Sequence, residues 1–323
     1  MARTRLYRNG VLDAENFPAA EVSDHLNDPT ATVWLDMCAP TEEDLATISE
    51  ELGLHRLAVE GAVNEKQRPK VDRYDSHSFL TAYSVRFDTT TGDLVSSELA
   101  AFITSRALVT VRKDDHFDVE SLIERWDSAS DLAKGGVGFL LHGLLDYVVD
   151  SHFDAVQDMD EQIEALEDLV FAESVDHRGM QRQALHLRKS LVMLRRVVLP
   201  MREVVNTLMR RDHQLVNDEL IPYFQDVYDH VLRASEWTES LRDLVTTLRE
   251  TQLNLQSNRL NSIMKKVTGW AAIIAVPTAI TGFYGQNVPY PGSEQPWGFW
   301  VSTTAVLIIS TGLYLLFRKR DWL

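Results

Sequence analysis

Three hydrophobic patterns follow one another along the chain. Over residues 1 to about 130, short β-branched and aromatic runs alternate with polar stretches, as in Thr32-Val33-Trp34-Leu35, Phe79 to Val85, Leu99 to Thr104 and Ala107 to Val111. Thr89-Thr90-Thr91-Gly92-Asp93 has the composition of a turn between two strands, and Pro40-Thr41-Glu42-Glu43 opens a helix with acids in its first turn. These elements predict an α/β domain over residues 1–135. From Gly138 the spacing becomes helical, through Phe139 to Phe171, Arg178 to Leu208 and Tyr223 to Tyr284, which predicts a helical hairpin over 136–222 and a stalk helix over 223–266. The last stretch meets no proline before Pro277, and its 62 residues would span about 90 Å as one helix. That is the length of a stalk or a coiled coil, far beyond what a globular core needs.

The third pattern is continuous. Val267 to Phe283 and Trp297 to Phe317 contain no charged residue, and each approaches the roughly 20 residues that cross a bilayer as a helix. Trp270 and Tyr284 bracket the first, and Trp297, Trp300 and Trp322 the second, where interfacial aromatics belong. Spans are expected over 267–286 and 297–317, joined by an outer loop of 287–296 and followed by a basic tail of 318–323. Lys265 and Lys266 precede the first span and Arg318, Lys319 and Arg320 follow the second, whereas the loop has no Lys or Arg. By the positive-inside rule both termini are cytoplasmic, in a multi-pass protein of the cell membrane. The fold class is thus an α+β membrane protein, its α/β domain joined by the stalk to two C-terminal transmembrane helices.

Composition adds a charge asymmetry. The chain of 323 residues has a net charge of −16 and a mean hydropathy of −0.18, so most of it lies in water. After residue 264 five cations face two acids, a surplus of three that leaves −19 on the first 264 residues. An acidic body on a basic-edged anchor disfavours nucleic acid and anionic lipid as main partners and favours cations. Membrane lipid is then a partner only of the two spans. One cysteine, Cys38, excludes an intrachain disulfide, and the first residues lack the apolar run of a secretory signal.

The first span carries an unusual seam. Steps of three and four read Asn261, Met264, Thr268, Ala271, Ala275, Thr278, Gly282 and Gly285, small or polar throughout except at Met264. A lipid-facing seam would be Leu, Ile or Phe, so this face meets water or other helices. No carboxylate lies in the span, and Mg2+ sheds water reluctantly. A conduit of this kind holds the hydrated ion through hydrogen bonds from its waters to amide and carbonyl oxygens. Met264 and Val267 would form an apolar constriction at the cytosolic end, with Asn261 just below.

The span ends in Pro277-Thr278-Ala279-Ile280-Thr281-Gly282-Phe283-Tyr284-Gly285-Gln286-Asn287. This end resembles the CorA family of magnesium and cobalt transporters, whose Gly-Met-Asn signature stands here as Gly285-Gln286-Asn287. Leu54 to Glu60, Gln67-Arg68-Pro69-Lys70-Val71 with Tyr74, and Pro222 to His230 are similar to the family's cytosolic and stalk blocks, and the likeness runs from about Trp34 to Leu323. It implies a homopentamer whose first spans line a pore for Mg2+, and for Co2+ or Ni2+, with uptake driven by the membrane potential and gated by cytosolic Mg2+. It further implies a selectivity filter of Gly285, Gln286 and Asn287, with Thr278 as a deeper polar ring and Glu294 attracting cations in the outer loop. Regulatory Mg2+ would bind at Asp226 and Glu60, although the family's acid after Glu60 is Gly61 here. Mg2+ is therefore both cargo and regulator, and no organic cofactor is expected.

Two other readings share these features: a Zn2+ transporter of the same superfamily, and a non-conducting, membrane-anchored Mg2+ sensor. Asp154, Asp158, Glu161 and Asp168 line one helical face, where like charges repel and welcome counter-cations. The ten histidines show no zinc spacing, and Gly135-Gly136-Val137-Gly138 lacks the Lys of a phosphate loop and reads as a turn before a helix. No nucleophile and base stand together, so no enzyme is expected.

Overall fold

The computed structural model describes residues 2–63, 67–171, 177–211, 215–286, 289, 291–292 and 295–322. Among these residues it holds one seven-stranded sheet and eight α-helices, divided into two compact units, residues 1–247 and 248–323.

In the first unit the strands are β1 (Ala2–Arg8), β2 (Val11–Glu15), β3 (Ala31–Cys38), β4 (Lys70–Arg73), β5 (Ser78–Asp88), β6 (Asp93–Ile103) and β7 (Ala107–Arg112), in the spatial order β2-β1-β3-β7-β6-β5-β4. Only the β3–β7 pair is parallel, with Leu35 opposite Val109. The β5–β6 hairpin turns at residues 89–92, where the Asp88 carboxylate accepts the amides of Thr90 and Thr91 and Gly92 takes a φ of 74°. Strand periodicity sorts the core onto two faces. Trp34, Leu80, Ala82, Leu99, Ala101 and Leu108 point to one, and Val33, Leu35, Phe79, Phe102 and Val109 to the other.

The second of these faces is covered by the short α1 (Val22–His25) and by α2 (Glu42–Leu52) and α3 (Arg56–Val63), through Leu45, Ile48, Ala58 and Ala62. Thr41 caps α2 in a reciprocal capping box with Asp44 and Gly53 closes it at φ 61°, which explains why the acid-rich start seen in the sequence holds a helix. The first face is covered by α4 (Val119–Ser128), α5 (Val137–Phe171), α6 (His177–Arg211) and the N-terminal end of α7 (Ile221–Tyr284). Trp126 of α4 packs edge-on against Trp34 at 4.8 Å and donates its indole N–H to Leu140 O at 3.2 Å. A glycine in the first turn of α5 permits close approach, since a Cβ at Gly138 would lie 2.0 Å from Leu215 O.

One charge pair is buried in the sheet centre. Asp36 of β3 accepts from Arg112 Nη2 of β7 at 2.7 Å and from Thr110 Oγ1 at 2.7 Å, and its side chain is 1% exposed. A buried carboxylate is tolerated here because guanidinium and hydroxyl together occupy its lone pairs.

The second unit contains the rest of α7 and α8 (Pro296–Lys319), the two helices long and apolar enough to cross a membrane. The 64 residues of α7 form one helix about 96 Å long. Within this unit α8 returns antiparallel to α7: the rings of Trp270 and Tyr314 stand 6.4 Å apart, while Thr281 and Tyr284 line a groove with Phe299 and Ser302.

Candidate ion pathway and cation site

Within the apolar stretch of α7, Gly269, Ala272, Ile273, Val276, Pro277, Ile280 and Tyr284 are the buried or half-buried positions, the side turned to α8. At 100° per residue the seam anticipated from the sequence falls roughly on the far side. Asn261, Met264, Thr268, Ala271, Ala275, Thr278, Gly282 and Gly285 are all exposed in the single chain, as is Val267. The small residues therefore do not serve packing against α8. A Cβ at Gly282 would meet nothing within 4 Å.

The hydroxyls of Thr278, in the seam, and of Thr281 beside it have a defined sense. Thr278 Oγ1 donates to Ile274 O at 3.1 Å, and Thr281 Oγ1 donates to Pro277 O at 2.8 Å. Each hydroxyl proton is thus turned back onto its own helix, and the oxygen lone pairs remain for an incoming donor. Gly285 N–H extends the ladder to Thr281 O at 2.9 Å, and Gln286 is exposed just beyond. Asn287 and Glu294 lie outside the described residues.

A second constellation lies in the first unit, where α5 and α7 run side by side. Phe153 packs edge-on against Trp237 at 5.3 Å and His142 against Phe224 at 5.7 Å, which sets the register between the helices. That register brings together two i,i+4 pairs, Asp146 with Asp150 on α5 and Asp226 with His230 on α7. Ligand atoms of Asp146, Asp150 and His230 lie within 4.8 Å of one another. His230 Nδ1 stands 3.9 Å from Asp150 Oδ1 and its Nε2 stands 3.8 Å from Asp226 Oδ2. Arg125 of α4 donates to Asp146 and, at 2.7 Å, to Asp150, so an arriving cation competes with a guanidinium for these oxygens. Further along α5, burial and then the neighbouring acids Asp150 and Asp158 raise the pKa of Asp154, and burial and then Glu161 raise that of Asp158. The donors fit a hydrated divalent ion. Carboxylate oxygens suit Mg2+, which keeps part of its water, and one imidazole nitrogen adds affinity for Co2+, Ni2+ or Zn2+.

Sequence reading had singled out Asp226 here but not Asp146, Asp150 or His230, because a cross-helix register is invisible in a linear pattern; the i,i+4 Asp–Asp and Asp–His pairs are the signal available. Glu60, exposed on α3, is not brought to Asp226 within one chain. The two belong to helices on opposite faces of the sheet. Gly61 beside it is buried, and a Cβ there would stand 3.2 Å from both Gln67 Nε2 and the Phe79 ring, so this position faces the core.

The sequence profile described as CorA-like Mg2+ transporter protein matches residues 30–319. The chain belongs to this family. CorA-like proteins are metal ion transporters rather than enzymes. Among its relatives is the cobalt/magnesium transport protein CorA of Thermotoga maritima, 30% identical over 300 residues that cover 92% of this chain and 85% of that one. The zinc transport protein ZntB of Yersinia pestis is 22% identical, over 97% of this chain and 94% of its own length. The CorA magnesium transporter of Methanocaldococcus jannaschii shares the fold, with a TM-score of 0.79 and 24% identity over 100% of this chain and 99% of that structure. The CorA-like architecture of an N-terminal α/β sheet domain, a long helix and two C-terminal apolar helices is therefore that of this chain.

Proposed function

We propose that this chain is the subunit of a homopentameric channel that admits Mg2+, with Co2+ and Ni2+ as further cargo, across the cell membrane. Both termini lie in the cytosol, spans cover 267–286 and 297–317, and the exposed seam of α7 lines the passage. One observation carries the reading: the small and polar face of α7 is turned away from α8 and left uncovered in the single chain. Apolar helices in lipid do not leave such a face to the hydrocarbon, and two spans alone cannot enclose a hydrated ion.

Gly285, Gln286 and Asn287 form the outer filter, Glu294 draws cations to it, Thr278 forms the inner polar ring, and Met264 and Val267 close the cytosolic end by dewetting. Two charges crossing 100 mV gain about 4.6 kcal/mol, enough to drive entry without nucleotide. Cytosolic Mg2+ closes the channel by binding among Asp226, Asp150 and Asp146 and, from the neighbouring copy, Glu60. The test is uptake into proteoliposomes followed with an internal Mg2+ indicator. Asn287→Ala is expected to abolish saturable uptake, and Asp226→Asn to raise at least several-fold the internal Mg2+ that halves the flux. Wild-type flux from Asn287→Ala, or an unchanged half-closing concentration in Asp226→Asn, rejects the corresponding assignment.

The likeness to ZntB, together with His230 in the carboxylate cluster, supports one rival cargo. Zn2+ uptake with no Mg2+ uptake in the same vesicles would replace the magnesium assignment.

A further inference from the structure

The cation cluster of α5 and α7 already holds a positive charge, and that charge comes from a third helix. Arg125 of α4 spans the i,i+4 pair, donating to Asp146 and, through Nη2, to Asp150 at 2.7 Å. With Asp226 beside His230, three carboxylates stand against one guanidinium, which leaves two negative charges for a divalent ion to balance. The contact is partly shielded from water. The side chains of Arg125 and Asp146 are 29% and 22% exposed, so the guanidinium competes for these oxygens at close quarters.

Little else in the fold depends on that bridge. Leu122 and Trp126, each 1% exposed, anchor α4 in the core, the Trp126 indole donates to Leu140 O, and Asp118 caps the helix through Ser121 N at 3.2 Å. The guanidinium can therefore move while its helix stays. It also has somewhere to go. Arg125 borders a cavity of about 410 Å³ whose lining includes Ser84, Tyr147, Ser151, Asp154 and Asp158. The four heavy atoms of a guanidinium need about 120 Å³ at a water's share of about 30 Å³ each. Asp154 stands one turn beyond Asp150 on α5, and neither it nor Asp158 forms an ion pair among the described residues. Burial and then its acidic neighbours disfavour the Asp154 charge, and Arg125 is the cation that eases it. Tyr147 flanks the way, its ring centroid 5.8 Å from the guanidinium carbon.

We infer that Arg125 is a tethered competitor of the regulatory cation: it occupies Asp146 and Asp150 while the cluster is empty, and a divalent ion takes those oxygens by sending the guanidinium into the cavity, to Asp154. The inference rests on the proposal that this cluster binds a cation. Its consequence is a threshold. The competitor is part of the chain, so its effective concentration is fixed, and the cluster fills only when free cation is abundant enough to displace it. Arginine suits the task better than lysine, since it stays charged and its planar fork matches two carboxylates at once.

The test is calorimetric titration of the full-length protein in detergent with Mg2+. The part of the isotherm that Asp150→Asn removes belongs to the cluster; if Asp150→Asn removes none, the cation site and its competitor fall together. Arg125→Gln is expected to lower the Kd of that part by about fivefold or more, and Asp154→Asn to raise it by about threefold. Arg125→Gln combined with Asp154→Asn should bind as Arg125→Gln alone, because without the guanidinium no landing place is needed. With the cation site intact, a Kd for Arg125→Gln at or above the parental value would mean that Arg125 orders the carboxylates for the ion, and overturns the competition. An Asp154→Asn effect that persists in the double variant would come from its charge acting through space, and overturns the displacement. Arg125→Lys, which keeps the charge and loses the fork, is expected between parent and Arg125→Gln. It serves as the test should the neutral variant not fold, and a Kd no lower than the parent's rejects the inference.

Discussion

Gly282 offers a test in which fold and transport are expected to move in opposite directions. The glycine lies in the exposed seam of α7, and a Cβ there would meet nothing within 4 Å. Gly282→Leu therefore strains nothing in the single chain, and replacing a helical glycine by leucine favours the helix by about 0.8 kcal/mol. In the proposed pentamer each copy adds four carbon atoms to the passage, about twenty in all. At a volume close to a water's share of about 30 Å³ each, they fill roughly 600 Å³. A Mg2+ ion with six waters needs about 180 Å³ for those waters. The variant is thus expected to assemble normally and to lose more than nine-tenths of Mg2+ uptake in proteoliposomes. Gly312 on α8 supplies the control, because a Cβ there also meets nothing within 4 Å and that helix is not the one assigned to the passage. Gly312→Leu should keep near-parental flux. Equal flux through both variants, with normal oligomer mass, would refute the assignment of the seam.

The soluble core yields two further tests. Arg112→Leu leaves the Asp36 carboxylate buried with only the Thr110 hydroxyl, which should cost about 3–5 kcal/mol; Asp36→Leu with Arg112→Leu should recover most of it, and a single variant that melts with the parent would show that water reaches the pair. His152 is buried with its Nε2 2.7 Å from Tyr83 O, and burial lowers its pKa to about 4. Its folded value lies below the unfolded one, near 6.5, so the unfolded chain binds the extra proton first and stability falls as pH drops from about 6.5 towards 4. The loss is on the order of 3 kcal/mol, and His152→Leu should flatten that limb of the melting temperature against pH; an unchanged slope would place the acid sensitivity elsewhere.

Much of the fold could be read from periodicity. The runs at Thr32–Leu35, Phe79–Val85 and Ala107–Val111 lie inside β3, β5 and β7, and the unbroken helical pattern from Tyr223 to Tyr284 is α7. β1, β2 and β4 escape a reading from periodicity for a physical reason: Ala2–Arg8 interleaves three arginines, of which Arg5 is buried by pairing with Glu15 and Asp127, Lys70–Arg73 is a short half-exposed edge strand, and Val11–Glu15 is an almost wholly exposed one. The seam of α7 was legible because side-chain size repeats at helical spacing. The carboxylate cluster was not, since it depends on how α5 and α7 slide against each other, which Phe153, Trp237 and His142 decide through contacts far apart in sequence.

The inward-turned protons of Thr278 and Thr281 give the helix end a polarity without giving it a charge. Water around a metal cation points its hydrogens outward, whereas water around chloride shows its oxygens. A wall of bare oxygen lone pairs welcomes the first shell and repels the second. In the proposed passage, rejection of anions would then come from hydroxyl orientation, with no fixed negative group in the span to trap the cation.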